Sequence, residues 1–177
     1  MLIASSVTTD SAPSADTFES ESQAILVSST ALGDFEVSST AQVQFLEPLG
    51  GFSSHLHYVI VPAVRQGLWW LQSLHDANVT FLLADPFVSF PDYTIDITDA
   101  ERVRLGIERE VDAFALVMLT LPTHHGESVT ANCRAPIVFN LEANCAIQVV
   151  SRNETHTMRT PINLSVYEEQ SVGLRMQ

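Results

Sequence analysis

Four of the six histidines fall in two close pairs, His55 with His57 and His124 with His125. Two positions apart in an extended chain, His55 and His57 point to one side. With an oxygen from Glu127 or Asp85 they have the ligand types of a zinc or iron site. The competing reading is two ordinary loops that contain histidine. Cys133 beside Arg134 is a second candidate, because a close guanidinium lowers a thiol pKa and a histidine would complete a nucleophilic pair. A buried cysteine at a strand end accounts for the same residues. Asp85, Asp92 and Asp96 offer carboxylates, but nothing pairs them at the separation that acid and base roles require. The chain has no glycine-rich phosphate loop, no Gly-x-Ser-x-Gly elbow and no His-Glu-x-x-His pair. Two function classes follow: a metal-dependent small enzyme using loop histidines, or a non-catalytic binding protein with no cofactor. The second is favoured.

The elements that must position these residues centre on 69–93. Trp69, Leu71 and Ser73 point one way in an extended chain while Trp70, Gln72 and Leu74 point the other, which predicts a strand covered on both faces. A turn at His75-Asp76-Ala77-Asn78 leads into a second strand over 79–84, and Asp85-Pro86 ends it. Upstream, 24–39 reads as a hairpin about Gly33-Asp34, and 57–62 as a further strand. Thr98 with Glu101 has capping-box spacing, so a short helix runs from there to Gly106. Residues 113–121, 128–132, 136–140 and 146–150 are strand-like. Many short strands with one short helix predict an all-β fold, a compact antiparallel barrel-like sheet. The domain is expected over 23–155, after a disordered acidic leader at 1–22 and before an irregular or weakly helical tail at 156–177, its helix over 164–175.

The net charge is −13, and all eight fixed side-chain cations are arginine. Phosphate binding needs a concentrated basic footprint, so direct nucleic-acid binding is not expected, whereas a basic protein partner would be steered toward this surface. No apolar run reaches membrane-spanning length and the start lacks a basic, apolar signal pattern, so a cytoplasmic protein off the membrane is expected. Cys133 and Cys145 are expected as free thiols, with Cys145 facing the region of Asn140. Asn78, Asn153 and Asn163 match the glycosylation pattern by chance.

The run WLQSLHDANVTFLLADPFVSFPDY at 70–93 closely resembles the central signature of the bacterial flagellar assembly factor family FliW. A second segment, TANCRAPIVFN at 130–140, resembles that family's TANL-x-APIVIN, with Gln148-Val149-Val150 in the position of its closing strand and Gly33-Asp34-Phe35-Glu36-Val37 in that of its first hairpin. The likeness runs from about 25 to 155. It departs at Leu49-Gly50-Gly51-Phe52, followed here by Ser-Ser-His, and at Cys133-Arg134. The resemblance implies a barrel-like binding protein that acts in the cytoplasm with two alternative partners, flagellin and the translational regulator CsrA. Flagellin bound to such a protein leaves CsrA free to repress flagellin synthesis. After flagellin export, the released protein antagonises CsrA.

Physical reasoning divides the signature into scaffold and surface. Trp70, Phe81, Leu82, Ile137 and Phe139 are expected in the core, and Asn132 in a turn. The candidate partner-binding residues are Asp76, Asp85, Asp92 and Glu127, with Phe90 and Tyr93 as apolar anchors. Competing with these are a cap on the next turn for Asp85 and an Asx turn for Asp92.

Overall fold

The computed structural model describes residues 23–124 and 126–167. The expected leader over 1–22, His125 and the last ten residues lie outside them. The first half of the chain supplies β1 (Ala24–Val27), β2 (Phe35–Ser38), β3 (Gln42–Phe45), β4 (His57–Pro62), β5 (Leu68–Ser73) and β6 (Thr80–Ala84). Two helices follow, α1 (Pro86–Ser89) and α2 (Asp99–Leu105). The rest comprises β7 (Ala113–Thr120), β8 (Thr130–Ala131), β9 (Ile137–Asn140), β10 (Cys145–Gln148) and β11 (Thr160–Pro161).

Seven strands close a barrel in the order β3, β4, β5, β6, β7, β9, β10. Antiparallel pairing runs round it until the last seam, where β10 meets β3 in parallel through Cys145 opposite Gln44 and Ala146 opposite Phe45. Closure removes the sheet edges that would otherwise invite pairing with another chain. β1 and β2 form the expected hairpin outside the barrel, Ala24 opposite Ser38. The Thr30 amide donates to Ala77 O at 2.8 Å and so ties the hairpin to the β5–β6 turn.

Side-chain alternation assigns each strand's two faces. Phe45, Tyr58, Leu71, Leu83, Leu116, Ile137 and Phe139 fill the interior. Phe45 sits 4.9 Å from Tyr58 and 6.3 Å edge-on from Phe139, ring centroid to centroid. Phe81, Ile137 and Phe139 are inside or packed against the interior, as expected. Trp70 and Leu82 are the exceptions. They lie half-buried and opposite one another on the outer face, while Trp69 turns inward against Phe114. With apolar residues on both faces of β5, hydrophobicity alone does not fix which tryptophan enters.

Both helices are terminated by local chemistry. Thr98 and Glu101 make the reciprocal capping box, and Gly106 ends α2 in the left-handed conformation at φ 68°. α2 then packs Leu105 against Ile147 and Val149 on the outside of the barrel. α1 is a single turn with proline at its start, capped by the Asp85 carboxylate accepting from the Phe87 amide at 2.9 Å.

The expected domain boundary at 155 falls inside the packed unit. β11 pairs with β8, and Ile162 and Tyr167 are buried beside Leu68, Ala84, Val117 and Cys133. Tyr167 donates to Asp85 O at 2.8 Å and its ring lies against Gly67, where a Cβ would stand 3.1 Å away. Periodicity missed this because Ile162, Leu164 and Val166 alternate with polar residues over too short a run after Pro161 to specify a strand, and Tyr167 breaks the alternation. The described part of the expected tail helix is one 3-10 turn, Leu164–Val166.

Candidate partner-binding surface

Gln72 explains why the β5–β6 turn has a fixed shape. Its side chain is fully buried, and its amide nitrogen faces the carbonyls of Ser73 at 2.9 Å, Asp76 at 3.1 Å and Val79 at 3.2 Å. Its oxygen accepts from the Thr80 hydroxyl. One amide thus braces the turn from inside, adding to the main-chain bonds from the Ser73 amide to Val79 O at 2.9 Å and from the Val79 amide to Asp76 O at 3.1 Å. The sequence signal was a lone glutamine inside an apolar strand. Asp76 completes the turn by accepting from the Asn78 amide at 2.8 Å and its side chain at 3.0 Å, which holds its carboxyl below the usual range.

The six candidate residues do not form one patch. Asp76 precedes β6 and Asp85 follows it, so the length of a five-residue strand, about 17 Å, separates them. Glu127 lies in the loop between β7 and β8, where its carboxylate accepts from the Thr123 and His124 amides at 3.3 and 3.4 Å. Asp85, Phe90, Asp92 and Tyr93 do cluster, because the cap, α1 and the following turn together occupy only the nine residues 85–93. Within that cluster Asp85 is a helix cap, as its competing reading held. For Asp92 no Asx bond forms among the described residues, and its exposed side chain borders a hollow of about 370 Å³ with Ser89, Phe90, His156 and Thr160.

Tyr93 is 5 % exposed, donates to Cys133 O at 2.8 Å and stacks on His156 with centroids 4.4 Å apart. Burial pushes its hydroxyl pKa up. It therefore anchors the segment from beneath, and Phe90 is half-buried against the same cluster. Phe87 is the exposed ring here, at 48 %, with Val88 beside it also exposed. Sequence reading assigned Phe87 no surface role because all three rings of the segment are equally apolar.

The chemical alternatives lose their geometry. His55 and His57 are joined by His75, with ring centroids 5.9 and 5.6 Å from it, and His55 Nδ1 is 2.9 Å from Ser73 Oγ. Neither Glu127 nor Asp85 approaches through any hydrogen bond, and among the described residues no group of three histidine, cysteine or acidic side chains is arranged to hold a metal ion. Cys133 and Cys145 are free thiols. Burial raises the Cys133 pKa, the opposite of activation, and Arg134 is turned away to donate to Asn153 O at 2.8 Å. Cys145 pairs opposite Asn140, as expected. No helix among the described residues is long and apolar enough to cross a membrane.

The model of the FliW protein family matches residues 26–162. The chain is 34 % identical over 134 residues to a flagellar assembly factor FliW of Syntrophotalea carbinolica, covering 75 % of this chain and 94 % of the relative. A flagellar assembly factor FliW of Thermosipho africanus is 30 % identical over 142 residues, 79 % of this chain and 97 % of that one. A crystal structure of the flagellar assembly factor FliW superposes with a TM-score of 0.69 at 29 % identity, covering 77 % of this chain and 95 % of the other.

Proposed function

The chain belongs to the FliW family and is a flagellar assembly factor, and we propose that it fills this role without catalysis, by binding flagellin and the translational regulator CsrA in the cytoplasm as alternative partners. Occupation by flagellin leaves CsrA free to repress flagellin translation. Release of flagellin by export returns the protein to antagonise CsrA, so synthesis follows export.

The observation that carries this reading is the match over 26–162, which spans the whole barrel and both signature segments. Charge supports it: at −13 the chain suits a partner with basic surface, and an RNA-binding regulator must present one. The exposed Asp92 and the half-buried Phe90, held in place by Asp85 and Tyr93, form one proposed contact region. Asp76 and Glu127 form separate ones, as two partners of different shape would use.

Calorimetric titration with the cognate CsrA, repeated after saturation with cognate flagellin, tests the proposal. The expected result is heat on CsrA addition that disappears when flagellin is bound. Absence of heat with either partner overturns the reading, and undiminished heat in the presence of flagellin overturns the exchange.

A further inference from the structure

Between Tyr93 and the capped start of α2 the chain runs through Thr94, Ile95, Asp96 and Ile97 without turn or bend. Exposure alternates along it, with Thr94 and Asp96 exposed and Ile95 and Ile97 half-buried against the outer barrel cluster. That is the pattern of a strand with one face on a core. Yet these four residues belong to no sheet, and among the described residues none of their amides or carbonyls makes a hydrogen bond to the protein. The segment is a strand in all but its pairing.

Beside it lies a hollow of about 590 Å³. Ile95, Ile97, Ala113, Ala115, Val138 and Ile107 make its walls and floor apolar. Two alanines on β7 leave the depth that longer side chains would fill. Phe87 borders it as a half-exposed ring. The cation lining it, Arg102, is committed to main-chain carbonyls, donating to Ile107 O at 3.0 Å and Glu108 O at 2.5 Å. Asp96 on its rim and Asp99 just beyond carry no ion pair among the described residues. Open main chain, an apolar trough and unneutralised carboxylates thus coincide.

We infer that this groove is a docking site for an extended segment of a protein partner, which adds as a strand to 94–97. Its apolar side chains enter the trough over Ala115 and alternate with basic ones that meet Asp96. Main-chain pairing gives such a complex its hold, and the alternate pockets give it selectivity. Four residues of pairing span about 13 Å, so a peptide of six or seven residues suffices. The site is a property of the surface, independent of whether CsrA or flagellin uses it.

The test uses the full chain and the peptide acetyl-Arg-Val-Arg-Val-Arg-Val-Arg-amide, against a scrambled peptide of identical composition whose alternation is broken. The alternating peptide is expected to bind more tightly and to slow amide exchange at 95–97 severalfold. Ala115→Leu, which fills the trough, and Asp96→Lys, an exposed change that leaves the fold intact, are each expected to weaken binding by roughly tenfold. Equal binding of the scrambled peptide overturns the site, since general charge attraction then explains everything. So does protection of 95–97 in the free chain, which would mean that a second copy or the chain's own terminus already occupies the groove. Unchanged affinity in the Asp96→Lys variant overturns the assigned charge pairing even if Ala115→Leu fails to fold.

Discussion

β5 and the segment 94–97 are both extended, both bear alternating side chains and both lie on the barrel, yet they are opposite in what their main chain does. β5 pairs on one side with β4 from Tyr58 opposite Ser73 to Pro62 opposite Trp69, and on the other with β6 from Leu68 opposite Ala84 to Gln72 opposite Thr80. The segment 94–97 pairs with nothing described. Buried main chain must be satisfied inside the fold, whereas exposed main chain can wait for a partner. The contrast separates residues that make the scaffold from those that a partner can read, although both stretches sit in or beside the same family signature.

Substitutions sharpen that contrast, beginning with the scaffold. Leu71→Ala, fully buried between β4 and β6, is expected to cost about 2–5 kcal/mol in denaturant unfolding. A cost below about 1 kcal/mol would mean that β5 is not the central strand it is taken to be. Gln72→Leu keeps the bulk but removes the buried amide that braces the carbonyls of Ser73, Asp76 and Val79, and the oxygen that accepts from the Thr80 hydroxyl. The expected loss is roughly 1–3 kcal/mol, with exchange of the 74–79 amides accelerated.

Tyr58 lies in the same interior with its hydroxyl buried and unpartnered among the described residues. Tyr58→Phe removes that unmet group and is expected to raise stability by about 1 kcal/mol near neutral pH. Burial pushes the Tyr58 pKa up to about 12. The folded protein therefore keeps a proton that the unfolded chain releases near pH 10, and stability falls as pH rises from about 10 toward 12. The variant should show a shallower decline over that window in thermal melts. An unchanged alkaline slope would place the titration elsewhere, on Tyr93 or Tyr167, whose values burial also raises. At the small end, Asp96→Asn should shift unfolding by less than about 0.5 kcal/mol, because its side chain is exposed and bonds to nothing described. A larger loss would make 94–97 part of the scaffold.

The barrel was legible because its cues are local. The capping box at Thr98, the proline stop at Pro86, the turn at 75–78 and the hairpin at 24–39 each depend on residues a few positions apart, and each formed. Long-range features were hidden. The parallel seam of β3 with β10 joins segments a hundred residues apart, and nothing in either marks a parallel partner. Inward Trp69 and outward Trp70 look alike in sequence, and the burial of Tyr167 depends on the space that Gly67 leaves. The candidate surface was legible only as a segment. That 85–93 is a cluster followed from spacing, but which of its rings faces solvent depended on His156 stacking on Tyr93 from a stretch assigned to a tail. The open main chain at 94–97 gave no signal at all, since an unpaired strand and a paired one share the same residue pattern.

Amide hydrogen exchange on the full chain, alone and with the alternating arginine-valine peptide, tests the contrast most directly. The 69–72 amides are expected to be protected in both states, and those of 95–97 to exchange freely alone and slow severalfold when the peptide is bound. Protection of 95–97 in the free chain, or exchange at 69–72 as fast as there, would contradict it.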